Sequence, residues 1–213
     1  MRYLLALSLF GLVGLSTPVA VAQVLPSLEQ PSGLLTADDV PSGFRELPPP
    51  VGGAIVNRVQ NVTRFLDQTS LRLNRSSVFV NPDDLQLIMG LTGNLSNQPE
   101  QLNFDSFIRQ LQNPQVQRQF LSLLRRSTLE LQQVQVLDYQ PLAGLNEIAN
   151  SSTGMRLTVQ LRDRVWRMDV VVFRRSSVGA LAAVVYPQQV TAPVGVEEFA
   201  RKLDARVVQM VLR

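Results

Sequence analysis

Arg174-Arg175 is the pair of residues best suited to chemistry in this chain, with Arg162, Arg164 and Arg167 close by in sequence. Guanidinium forks bind phosphate and carboxylate in two-point fashion. If Arg162, Arg164, Arg174 and Arg175 converge, they form an anion-binding or partner-binding patch. If they sit on two hairpin tips at opposite ends of a sheet, they do not meet. The carboxylates are fewer. Asp38-Asp39 and Asp83-Asp84 are adjacent pairs that could enter a calcium loop, but neither has the spacing of several oxygen ligands such a loop needs. They read as cap or turn residues, and Glu197-Glu198 reads as a first-turn helix pair. Gly90-Leu91-Thr92-Gly93 lacks the spacing and the lysine of a phosphate-binding loop. Gly144, and Ser151-Ser152 with Gly154, read as turn residues. Trp166 falls at an alternating position and reads as core.

The chain of 213 residues contains no cysteine and no histidine. That excludes disulfides, thiolate nucleophiles, Cys/His zinc sites and triads with an imidazole base. No catalytic, cofactor or metal residues are assigned. With 20 Lys+Arg against 17 Asp+Glu and 6% aromatic residues, the charge is near balance, and nucleic acid is not the expected partner.

The elements that must position these residues follow from periodicity. At the N-terminus, Arg2, an apolar run Tyr3 to Leu15, Pro18 and Ala20-Val21-Ala22 have the form of a secretory signal peptide over 1–22. Residues 23–33 read as a linker, and 34–213 as one domain. An exported chain of this size without cysteine reads as bacterial, so the four Asn-x-Ser/Thr sequons carry no weight as glycan sites. No later segment has the length of a membrane span. Within the domain, LLTADDVPSGFREL is a short helical turn and then an extended piece. Pro48-Pro49-Pro50 with Gly52-Gly53 is a loop.

A helix starts at Ala54, with Ile55, Val59, Val62, Phe65 and Leu66 on one face. Val78-Phe79-Val80 and Leu85 to Met89 form a hairpin around Asn81-Pro82-Asp83-Asp84. Phe104, Phe107, Ile108 and Leu111 mark one helix. Pro114 with Val116, Phe120, Leu123 and Leu124 marks the next, which ends at Arg125-Arg126. Strands follow at Val134 to Tyr139, Met155 to Leu161, Trp166 to Phe173 and Gly179 to Tyr186. A last helix carries Val196, Phe199, Ala200, Leu203, Val207 and Met210, with Gly195 at its N-cap. The sum is an α+β fold: an antiparallel sheet of five or six strands with helices on both faces, a three-layer α/β/α sandwich.

This order of elements resembles the PsbP-like and LpqN-like exported α/β/α sandwiches. MDVVVFRRSSVGALAAVVYP followed by VGVEEFARKLDARV is similar to the C-terminal segments of cyanobacterial members, and LLTADDVPSGFREL is similar to the entry of several exported bacterial domains. The resemblance implies a non-enzymatic accessory or envelope protein of the thylakoid lumen or periplasm, or a secreted one. Some PsbP-type members bind Mn or Ca, but histidine ligation of a metal is closed to this chain. The expectation is an exported, non-catalytic accessory or binding domain that acts through a protein or envelope partner. The alternatives are a small-molecule or lipid carrier with a cleft between sheet and helix, and an enzyme using arginine and carboxylates.

Overall fold

The computed structural model describes residues 34–64, 71–113, 115–119, 121–122 and 134–212. The expected signal peptide and linker, Phe65, Leu66, Pro114, Phe120, Leu123, Leu124, Arg125 and Arg126 lie outside the described residues. The chain enters through a 3-10 turn at Ala37–Asp39, then runs through β1 (Arg45–Glu46), α1 (Pro49–Arg64), β2 (Arg72–Asn81), β3 (Gln86–Asn94) and α2 (Gln98–Leu111). Residues 115–119 and 121–122 are helical. Then come β4 (Val134–Leu142), β5 (Ser151–Leu161), β6 (Arg164–Arg175), β7 (Val178–Pro187) and α3 (Val196–Val211).

The strands form one antiparallel sheet in the order β1-β2-β3-β7-β6-β5-β4. The fold is α+β, and the sheet has seven strands rather than five or six. The additional strand is β1, two exposed residues paired with Phe79 and Val80. It is too short to show an apolar alternation.

Two other local expectations are corrected. The helix begins at Pro49, not Ala54: Val51 and Gly52 donate to the carbonyl of Pro48, so the proline run is the first helical turn. A proline there has a preset φ and no N–H to waste. Ser151, Ser152 and Gly154 are not in a turn but in β5. A Cβ at Gly154 would lie 2.3 Å from Leu145 Cδ1 and 3.0 Å from its Cβ. The glycine is there because Leu145 packs flat on the strand.

The buried residues separate into two clusters. The first gathers Ile55 of α1 and Phe104, Phe107, Ile108 and Leu111 of α2 with Leu91, Met155, Trp166, Val170 and Val172. The second gathers Phe199, Ala200, Leu203 and Val207 of α3 and Leu34, Leu35 and Val40 with Ile88, Val171, Phe173, Ala182 and Val184. Successive residues of a strand point to opposite sides, which is why Val170, Val171, Val172 and Phe173 alternate between clusters. Gly90 of β3 lies where α3 approaches: a Cβ there would meet Leu35 Cδ1 at 2.6 Å and Leu203 Cδ1 at 3.3 Å.

Candidate functional site

The four arginines of the expected patch are not brought together. Arg162 lies in the β5–β6 turn and Arg164 opens β6, while Arg174 and Arg175 close it. A strand of 12 residues at roughly 3.3 Å per residue holds its ends some 35 Å apart. The convergent patch is therefore corrected to two separate pairs, and its physical cause is the length of β6.

Arg174 and Arg175 are engaged in holding helices. Arg174 donates Nε to Asp105 Oδ1 at 2.7 Å and Nη2 to Oδ2 at 2.6 Å. It also donates to the carbonyl of Ser176, and Ser151 donates its hydroxyl to Asp105. The hydrogen bonds from Arg174 outweigh burial and hold the Asp105 carboxyl below the usual carboxylate value of 3.8. Arg175 pairs in the same two-point fashion with Asp204 of α3, and that bond holds its guanidinium more firmly protonated.

Asp83-Asp84 and Glu197-Glu198 bond within their own turn or helix, whereas Asp39 also reaches across the fold. Asp39 accepts from the N–H and hydroxyl of Thr36 and from Arg206 of α3. Burial pushes its carboxyl up, but the Thr36 N–H and Arg206 together bring it below its ordinary value. Asp84 accepts from the Asn81 amide, whose oxygen takes the N–H of Asp83. Glu197 and Glu198 pair with Arg201 and Lys202 one turn on. Among the described residues, no group of three or more His, Cys, Asp or Glu is placed to hold a metal ion.

A polar assembly that sequence reasoning missed crosses β4, β5, β6 and β7. Register places Gln140, Arg156 and Asp169 in one cross-strand row, and Asp138, Thr158, Arg167 and Tyr186 in the next. The residues of both rows share the side of the sheet that carries Val171 and Phe173. Asp138 and Gln140 are exposed; Arg156, Thr158 and Arg167 are half-buried.

At the centre, Asp169 is only 4% exposed. It accepts Arg156 Nε at 2.6 Å, Arg156 Nη2 at 2.8 Å and the Tyr186 hydroxyl at 3.0 Å. A carboxylate this deep requires such partners. The bond to Asp169 outweighs burial and holds Arg156 more firmly protonated than usual. Burial first, and the Asp169 charge second, push the Tyr186 phenol up.

The available signal was the polar half of the β5 alternation, Arg156-x-Thr158-x-Gln160, and the lone acid Asp169 inside an apolar strand. Chemically, the assembly is a preset guanidinium in a field of amide, hydroxyl and carboxylate groups. It is suited to recognition.

Among the described residues no helix is long and apolar enough to cross a membrane. Compared with known proteins, the chain matches no family model and no curated relative.

Proposed function

We propose that the chain is an exported, non-catalytic binding domain that docks a protein or envelope partner through the two polar rows on β4, β5 and β6. The observation that carries this reading is the fixed Arg156 fork. Asp169 and Tyr186 have already ordered it, so a partner's oxygen would meet its remaining donors with little side-chain entropy left to lose. The reading includes a signal peptide over 1–22, a linker over 23–33 and one domain over 34–213. It places the protein in the periplasm, in the thylakoid lumen or outside the cell. Helices on both faces of the sheet complete it as an α/β/α sandwich of the PsbP-like or LpqN-like kind. The division of the core into a cluster with α1 and α2 and a cluster with α3 supports that architecture.

The test is affinity capture with cross-linking from the host, comparing the tagged wild type, Arg156→Ala and the exposed-pair control Arg201→Ala. The expected result is one partner recovered by wild type and control and lost with Arg156→Ala, at unchanged circular dichroism. A partner retained by Arg156→Ala moves the docking surface elsewhere, and recovery of none by any of the three rejects the reading.

A second reading, a small-molecule carrier, is favoured by a different observation. Leu157, Val159 and Met168 point to the side of α1 and α2 and stay only half-buried although they lie on interior strands.

A further inference from the structure

The two sides of the central sheet are covered unequally. Toward α3, Val171, Phe173, Ala180, Ala182 and Val184 are completely buried. On the other side, Leu157 stands opposite Met168 and Val159 opposite Trp166, a contiguous apolar block across β5 and β6. Three of these four are half-buried, so water reaches apolar surface in the interior of the sheet. Trp166 is the exception at 5% exposure, and among the described residues its buried Nε1–H has no hydrogen-bond partner. A donor left in that state is destabilising, and a ligand oxygen that accepts from it removes the penalty.

Arg164 is two residues earlier on the same strand, so it leans to the same side. It is exposed, and among the described residues no hydrogen bond or ion pair engages its guanidinium. An unsatisfied N–H, a cation and an apolar floor thus adjoin one another along β6.

We infer that this block is a binding site for a single-chain amphiphile with an anionic oxygen headgroup. The alkyl chain lies on Leu157, Val159 and Met168. The headgroup accepts from Trp166 Nε1 and pairs with Arg164. Met168 is the gate to the indole, since its unbranched side chain moves at little cost. A small ligand suits a donor recessed this far better than a flat protein surface does. This inference rests on the carrier reading and names its ligand class.

Trp166 is the chain's single tryptophan, so it reports the site directly. The experiment titrates the full protein with decanoate, decanol and acetate. It follows tryptophan emission and the single indole N–H cross-peak, with calorimetry for variants. Decanoate is expected to saturate and to move the indole N–H downfield, acetate to do neither, and decanol to bind more weakly.

Arg164→Ala is expected to weaken decanoate by about tenfold. Trp166→Phe, which keeps an aromatic ring and removes the donor, is expected to weaken decanoate more than decanol, since a carboxylate accepts more strongly than a hydroxyl. If neither decanoate nor decanol saturates, the carrier reading itself fails. If decanol binds as tightly as decanoate and Arg164→Ala changes nothing, a carrier remains but the headgroup site is overturned.

Discussion

Arg174 and Arg175 are neighbours in the chain, yet they grip helices that belong to different core clusters: α2 through Asp105 and α3 through Asp204. The cause is the pleat, which turns consecutive side chains to opposite sides of β6. The end of one strand thereby fixes two helices that are far apart in sequence.

Removing one partner of such a pair strands the other. Arg174 and Asp105 side chains are 15% and 12% exposed. Arg174→Ala is expected to cost about 3 kcal/mol, at the low end for a broken buried pair. The double variant Arg174→Ala/Asp105→Ala should recover part of that loss. The control Arg201→Ala, whose pair is 57% and 51% exposed, should stay within about 0.5 kcal/mol. Urea unfolding followed by circular dichroism measures all three. Equal losses for Arg174→Ala and Arg201→Ala would contradict the role given to Arg174.

Acid should loosen the same contacts. Asp105 and Asp39 have carboxyls below 3.8 in the folded chain. Their contribution is therefore complete above about pH 5. It declines as pH falls through the unfolded value near 3.8 and on through the lower folded values. Asp105→Asn should give a lower but flatter stability profile between pH 5 and pH 2 in thermal melts. An unchanged slope would remove Asp105 from the account. At the alkaline end the sign reverses. Burial pushes Tyr139 up to about 12, so stability is lost above pH 10 as the unfolded phenol ionises first. Absorbance at 295 nm should show late tyrosine titration in the native protein and ordinary titration in denaturant.

Gly154→Ala should destabilise by about 2 kcal/mol, since the new methyl group would overlap the Cβ as well as the flexible end of Leu145. Pairing it with Leu145→Ala should cost less than the sum of the two single changes, because the closest overlaps, with Leu145 Cδ1 and Cγ, are removed and only the 3.0 Å approach to the Cβ remains. Strict additivity in chemical unfolding would disprove the contact.

Ser176 occupies the β6–β7 turn with φ 52°. Its N–H donates to the Asn150 side chain and its carbonyl accepts from Arg174, so the backbone is held in the left-handed region without help from the hydroxyl. Ser176→Gly keeps those bonds and relieves the Cβ. A net gain of about 0.5 kcal/mol is expected after the glycine's extra unfolded-state entropy is subtracted. A loss greater than about 1 kcal/mol would point to an unrecognised role for the side chain.

How far the chain is legible from its sequence depends on the range of the interaction. Leu157 to Val159 and Val170 to Phe173 announce strands because alternation is local, and Gly195 announces the α3 N-cap for the same reason. β1 was visible only as an extended piece, since two exposed residues carry no period. The role of Asp169 is not legible locally, because its partner Arg156 is chosen by strand register. The Arg174–Asp105 pair depends on how α2 docks on β5 and β6, which no spacing encodes. Whether Arg162 and Arg164 meet Arg174 and Arg175 is open in the sequence, because it turns on the length of β6, whose 12 residues hold the two ends apart.

The strand order has a kinetic consequence. β2 with β3, and β4 through β7, are each built from hairpin-like neighbours that can pair early. The seam that joins them pairs Leu91 of β3 with Leu181 of β7, from opposite halves of the chain. Closing that seam requires a long loop to be immobilised before its contacts repay the entropy. The slow step of folding should therefore be the docking of two preformed sub-sheets. Variants at the β3–β7 seam should slow refolding, whereas variants in the β5–β6 turn should chiefly alter how stable the meander is before it docks.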